Sequence, residues 1–218
     1  MSHAIAATHA SHQSRARLFH FAYYLLLSGG VLALAYSGAA IAEGYWYQAT
    51  AGAQLDELLV SPPPASPAAP APVPALAAAP AVVLEDGMLG RLEIPRLGMK
   101  IIVDEGVSTR VLRRAVGHVP QTALPGEWGN IVLAGHRDTF FRPLRNIQAG
   151  DAIALETPAG NFEYRVESIV VTSPTDVALL KPTEDRMLTL VTCYPFYYVG
   201  PAPRRFIVRA RLMANPLK

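Results

Sequence analysis

The stretch Met187-Leu188-Thr189-Leu190-Val191-Thr192-Cys193-Tyr194-Pro195 interleaves leucines with β-branched residues and then stops. That composition reads as a β-strand, and Pro195 cannot continue a ladder, so Cys193 sits at the strand's end. A period of two puts Leu188, Leu190 and Thr192 on one face and Thr189, Val191 and Cys193 on the other. Cys193 shares its face with the less apolar set, where a strand-end side chain is both held and reachable. The competing reading is a buried core thiol, a common fate of free cysteine. Cys193 is the only cysteine, which excludes an intramolecular disulfide and a cysteine-based zinc cluster.

Further strand-like runs surround this one at close spacing: Gly90–Ile94, Lys100–Val103, Gly129–Ala134, Ala152–Thr157, Asn161–Val171 and Arg205–Leu212. Pro95, Pro125-Gly126, Ala149-Gly150-Asp151 and Pro158-Ala159-Gly160 punctuate them. Residues 157–161 read as a hairpin loop, and one short helix is expected at Thr109–Val116 with Ser108 as its N-cap. Seven or eight short strands at such spacing make a closed barrel or a sandwich. The folded domain is expected over residues 87–213, with 214–218 a tail. Over 88–218 it carries 17 basic against 12 acidic side chains, and the whole chain is +2, too weakly charged for a dedicated nucleic-acid binder.

The chain's apolar and proline excesses lie upstream. Residues 1–17 are mixed and largely polar, with Arg15 and Arg17 their charges. Residues 18–42 carry no charged side chain apart from the titratable His20, enough helix to cross a bilayer core. Tyr23, Tyr24 and Tyr36, then Tyr45, Trp46 and Tyr47, are candidate interfacial aromatics. The two arginines precede the run and Glu43 follows it, which predicts a single-pass anchor with the N-terminus inside and the domain outside. A cleaved signal peptide ending at Ala40-Ile41-Ala42 is the rival, but its apolar region is shorter than this one. Residues 43–86 are then a juxtamembrane segment and linker. Eight prolines within 61–82 favour an extended, semi-rigid stalk lifting the domain off the membrane.

The other candidate chemistry is sparse. His136 follows Asn130-Ile131-Val132-Leu133-Ala134-Gly135, another strand end at a tight glycine, and His118 follows Gly117. His118 reads as a wall or carbonyl-satisfying residue rather than a reactive one. A thiol and an imidazole at two strand ends are the parts of Cys/His nucleophilic catalysis. The thiolate needs a positive neighbour and a tetrahedral intermediate needs an oxyanion donor, both of which a guanidinium supplies. In Arg204-Arg205-Phe206-Ile207-Val208, parity puts Phe206 and Val208 toward the core, Arg205 toward the groove and Arg204 nominally inward. Asp138 reads as a turn residue or a partner of Arg137 rather than a triad member, and Tyr194, Phe196, Tyr197 and Tyr198 as either a substrate-facing rim or core anchors. Arg209 and Arg211 read as solvated strand charges. Glu93, Asp104 and Glu105 read as surface charges, with no dense carboxylate cluster for calcium.

Leu188–Cys193 (LTLVTC) resembles the TLxTC signature of sortases, the cysteine transpeptidases of bacterial surfaces. Gly129–Arg137 (GNIVLAGHR) is similar to the sortase strand carrying the catalytic histidine, and Pro203–Val208 (PRRFIV) to the one carrying the catalytic arginine. The three motifs fall in family order over about Leu89–Leu212, most like class D sortases. The resemblance implies a mainly β, closed eight-stranded sortase barrel with short helices. It implies Cys193 as nucleophile, His136 as general acid/base and Arg205 as substrate and oxyanion clamp, with Thr192 lining the substrate groove and the 173–186 loop where the sorting signal binds; His118 and Tyr194 are added as substrate-binding candidates from the reading of the residues themselves. The partners it implies are exported proteins with an LPxTG-like sorting signal and an amine from a wall precursor or pilin. The site implied is the bacterial cytoplasmic membrane, with no cofactor required. A thiol peptidase hydrolysing the same intermediate and a non-catalytic exported barrel remain the alternatives.

Overall fold

The computed structural model describes residues 2–60, 84 and 87–213. Nearly all of the proline-rich stretch expected as a stalk, and the 214–218 tail, lie outside the described residues. Two compact units result, residues 1–44 and 45–218.

The first unit is helical. Helix α1 runs Ser2–Val60, and its part from Phe19 on is long and apolar enough to cross a membrane. Between residues 19 and 41 its large aromatic and aliphatic side chains are exposed, as those of a lipid-facing helix would be.

In the second unit eight strands form a closed barrel: β1 (Met88–Ile94), β2 (Met99–Glu105), β3 (Val116–His118), β4 (Asn130–Ala134), β5 (Ala152–Thr157), β6 (Gly160–Thr172), β7 (Met187–Tyr194) and β8 (Arg204–Leu212). Around the barrel the order is β1-β2-β3-β4-β7-β8-β6-β5. Most neighbours are antiparallel, but β2–β3 and β4–β7 pair in parallel. Closure leaves no free sheet edge. Inward residues of alternate positions fill the interior, among them Leu92, Ile94, Leu133, Ile153, Leu155, Leu188, Leu190, Val208 and Ala210.

Seven strands fall where the sequence places them. The eighth, β3, falls at the end of the expected helix: α2 (Thr109–Arg114) stops two residues early, capped as expected by the Ser108 hydroxyl accepting from Val111 N. Ala115 turns extended, and three residues pair with β2 and β4. A three-residue strand is too short to show a period of its own, and Val116 prolongs the apolar spacing of the helix before it.

The second unit also includes the end of α1, residues 45–60. Ala51 and Leu55 are buried with Met88 and Ile102, and Tyr47 packs beside them. These helix residues recur every four positions, one face of a helix. The Tyr47 hydroxyl donates to the Asp104 carboxylate at 2.7 Å, and Gln48 accepts from Ile102 N and donates to Arg114 O. Tyr47 is thus a docking residue rather than an interfacial aromatic, whereas Tyr45 and Trp46 are exposed. Asp104, expected on the surface, is buried between Tyr47 and Arg114. Arg91 is buried too, bonded to Asp56 at 2.7 Å and Glu156 at 2.5 Å. Its hydrogen bond holds the Asp56 carboxyl below the usual carboxylate range.

Leu55→Ala should therefore lower the stability of the full-length chain by about 2–4 kcal/mol in urea titration, the usual cost of truncating a buried leucine. An unchanged midpoint would mean that residues 45–60 do not pack on the barrel.

Candidate active site

Strand β7 carries Cys193 between two unlike neighbours. On one side β8 runs antiparallel, with Cys193 directly opposite Arg205 and Tyr194 opposite Arg204. Directly opposed residues of an antiparallel pair share a face, so Cys193 and Arg205 project together. On the other side β4 runs parallel, with Ala134 level with Val191. His136 lies two residues beyond Ala134, the last paired residue of β4. The parallel pairing ends in two extra bonds: Gly135 N donates to Val191 O at 3.2 Å, and the Thr192 hydroxyl donates to Gly135 O at 2.7 Å. The polypeptide turns directly after, with Phe141 N donating to His136 O. Gly135 is required there, because a Cβ would lie 2.8 Å from the Phe141 ring.

These contacts sort the sequence candidates. Cys193 is half-buried, His136 exposed and Arg205 half-buried, gathered at one end of the barrel by β4, β7 and β8. Arg205 donates to the carbonyls of Ala202 and Arg204, which parks its guanidinium at the start of β8. Arg204 is exposed rather than inward; it opposes Tyr194 on the last rung of the β7–β8 pair. Among the described residues no side chain is bonded to the His136 ring, and Asp138 is exposed without bonding to it.

The remaining candidates sit behind this group. Thr192 faces the barrel interior and is buried, so it acts on the site by holding Gly135 rather than by lining a groove. His118 is 2% exposed, with Nδ1 2.6 Å from Glu105 Oε2 and Nε2 3.1 Å from Ala123 O. It ties the loop after β3 to β2 and offers no free nitrogen to a substrate. Tyr194 is an anchor rather than a rim residue. Its ring stacks on Phe206 at 6.1 Å and meets Phe196 edge-on, closing the barrel end. Tyr197 and Tyr198 are exposed on the loop between β7 and β8.

The outer face shared by β4, β7 and β8 is not solvated. Val132, Thr189 and Ile207 are all buried on it. The 173–186 segment covers it: Asn130 donates to the carbonyls of Leu179 and Lys181 and accepts from Thr189. Arg211 is exposed, as expected of a solvated strand charge, and there pairs with Glu167 of β6 and Asp185 near the end of this segment. Arg186 lies 4.6 Å from the Trp128 ring. A cavity of about 460 Å³ lies well away, lined by Tyr47, Gln54, Arg110 and Arg114; the chemistry-bearing residues are elsewhere. Among the described residues no group of three or more His, Cys, Asp or Glu stands where it could hold a metal ion.

A half-buried thiol opposite a guanidinium, with an exposed histidine two residues past the end of the neighbouring strand, is a residue set suited to cysteine acyl transfer. The sortase domain model matches residues 92–213, and the chain belongs to the sortase family. It is 38% identical over 120 residues to Sortase D of Bacillus subtilis, covering 55% of this chain and 61% of that protein. To Sortase SrtE1 of Streptomyces coelicolor it is 37% identical over 123 residues, covering 48% of this chain and 35% of the relative. The chain thus spans less than two thirds of the length of either. Among solved structures, a Clostridium perfringens Sortase D5 transpeptidase superimposes with a TM-score of 0.54 at 34% identity, covering 59% of this chain and 79% of that one. Sortase C1 of Streptococcus agalactiae gives a TM-score of 0.56 at 29% identity, with 61% and 70% covered.

Thr192→Val keeps the shape and removes the bond to Gly135. It is expected to cost about 1–2 kcal/mol in urea titration, the value of a lost hydrogen bond plus a stranded carbonyl. No change in stability would mean that the His136 turn is held by other contacts.

Proposed function

We propose that the chain is a membrane-anchored sortase that cuts an LPxTG-like sorting signal and joins the product to an amine. The observation that supports this reading is the register that sets Cys193 opposite Arg205, with His136 two residues past the end of the strand paired to β7 on its other side. In the proposed reaction the Cys193 thiolate attacks the threonine carbonyl of the signal. The oxyanion forms beside Arg205, whose guanidinium leaves the Ala202 and Arg204 carbonyls to meet it. The C–N bond to the next residue then breaks, and His136 passes a proton to the departing amine. A thioester on Cys193 remains. An incoming amine attacks it, His136 takes up the amine's proton, and the C–S bond breaks to regenerate the thiolate. No metal or redox partner enters this balance.

The apolar part of α1 supports anchoring, and Arg15 and Arg17 ahead of it support an inside N-terminus with the barrel on the outer side. That topology would bring the site near substrates themselves held at the membrane. The half-buried Cys193 favours a catalytic thiol over the core thiol of a non-catalytic barrel, because a core residue would be closed off.

The test is to incubate the full-length chain in detergent with an LPxTG peptide, with and without an amine acceptor. Amine-linked product, absent with Cys193→Ala, is expected. Release of the free acid alone would make the protein a thiol peptidase, and no cleavage at all would favour a binding barrel. In the same assay Arg205→Ala is expected to lower turnover by about 10²-fold or more, the scale of a lost oxyanion donor, with Arg204→Ala close to wild type. The reverse order would move the clamp to Arg204.

A further inference from the structure

The residue after His136 makes a contact that neither the three motifs nor the reaction accounts for. Arg137 Nη2 donates to Tyr198 O at 2.8 Å and to Gly200 O at 3.1 Å. Both carbonyls belong to residues 195–203, the loop that leaves β7 just after Cys193 and enters β8 just before Arg205. That loop has no backbone–backbone hydrogen bond of its own among the described residues, and Tyr197, Tyr198 and Val199 on it are exposed. Arg145, on the short 3-10 helix Arg142–Asn146 that follows the His136 turn, adds a bond to the Tyr197 hydroxyl. The far end of the loop supplies Ala202 O, one of the two carbonyls on which Arg205 rests.

We propose that Arg137 is a positioning residue, a clamp from the His136 turn to the 195–203 loop that sets where Arg205 presents its guanidinium; this rests on the sortase reaction proposed above. A loop with no ladder of its own takes its shape from side chains that reach it. Two carbonyls on one guanidinium nitrogen fix Tyr198 and Gly200 relative to Gly135 and His136. Through the short stretch to Ala202, they fix the resting place of Arg205. One side chain thereby ties all three motif segments together, because β7 and β8 are the loop's own ends. The hold is narrow. Among the described residues, Arg137 Nη1 has no hydrogen-bond partner, so Nη2 alone makes the hold. A loop that must admit a peptide and then let an amine reach the thioester has use for a hold of that kind.

Gly200 gives an independent handle. Its φ of 110° lies in the region that favours glycine, while a Cβ added there would meet nothing nearer than 3.9 Å. Gly200→Ala therefore disturbs the loop through backbone conformation, not crowding, and leaves Arg137 intact.

The experiment compares wild type, Arg137→Ala, Gly200→Ala and the double variant as full-length chains in detergent. Without substrate, chymotrypsin is expected to nick at Tyr197 or Tyr198 about tenfold faster in Arg137→Ala at an unchanged melting temperature. Iodoacetamide is expected to label Cys193 within about twofold of wild type. With LPxTG peptide and amine, kcat is expected to fall about tenfold or more, with KM nearly unchanged. The double variant should be little worse than either single one, because both act through one loop. Unchanged nicking, faster nicking with unchanged kcat, or strictly additive losses would each overturn the clamp. If wild type processes no peptide, the sortase reading fails, while the nicking rates still report whether Arg137 holds the loop.

Discussion

The structure depends on how β7 is paired. Its β8 neighbour is antiparallel, so the residue opposite Cys193 is fixed as Arg205. Its β4 neighbour is parallel and ends at Ala134, level with Val191, so His136 follows two residues beyond the last rung of that pair. A one-residue slip on either side would turn every inward leucine outward and move one partner off the thiol's face. The burial of Leu188, Leu190, Leu133 and Val208 thus holds the register that sets Cys193 opposite Arg205 and ends β4 two residues before His136. The Thr192–Gly135 bond pins the last step, where the β4–β7 ladder has already ended.

Much of this is legible in the sequence, for a physical reason. Strands half in contact with a core write a period of two, so seven strands and the parities of Cys193 and Arg205 follow from alternation alone. The motif order then supplies the family, which alternation cannot. What fails to show are short or unusually covered elements. β3 is too brief for a period and merges with the helix before it. Arg204 escapes parity because a strand's first residue has no ladder on one side. Thr192 and His118 carry polar groups that read equally well as groove contacts or internal ties. Only the partners, Gly135 O for one and Glu105 with Ala123 O for the other, separate the two.

Residues 43–60 are the larger gap between sequence and structure. Their composition reads as linker, yet Tyr47, Ala51 and Leu55 carry a four-residue repeat that marks a packing face, and Asp56 meets a buried arginine. The barrel's outer wall here consists of Met88, Arg91, Ile102 and Asp104, apolar and charged groups that would be awkward to leave in water or to bury without partners. Covering them with a helix from the same chain settles where those carboxylates and guanidinium groups find partners. It also explains why Asp104 is no surface charge.

The claim on which the rest stands is that Cys193 becomes acylated by a sorting-signal peptide. The most direct measurement is the intact mass of the full-length chain mixed with an LPxTG peptide and quenched in acid before an amine is added. A mass increase equal to the peptide portion ending at threonine, mapped to Cys193 and reversed by hydroxylamine, is the predicted result. A chain whose mass stays unchanged while the peptide is consumed, or an adduct on another residue, would contradict it.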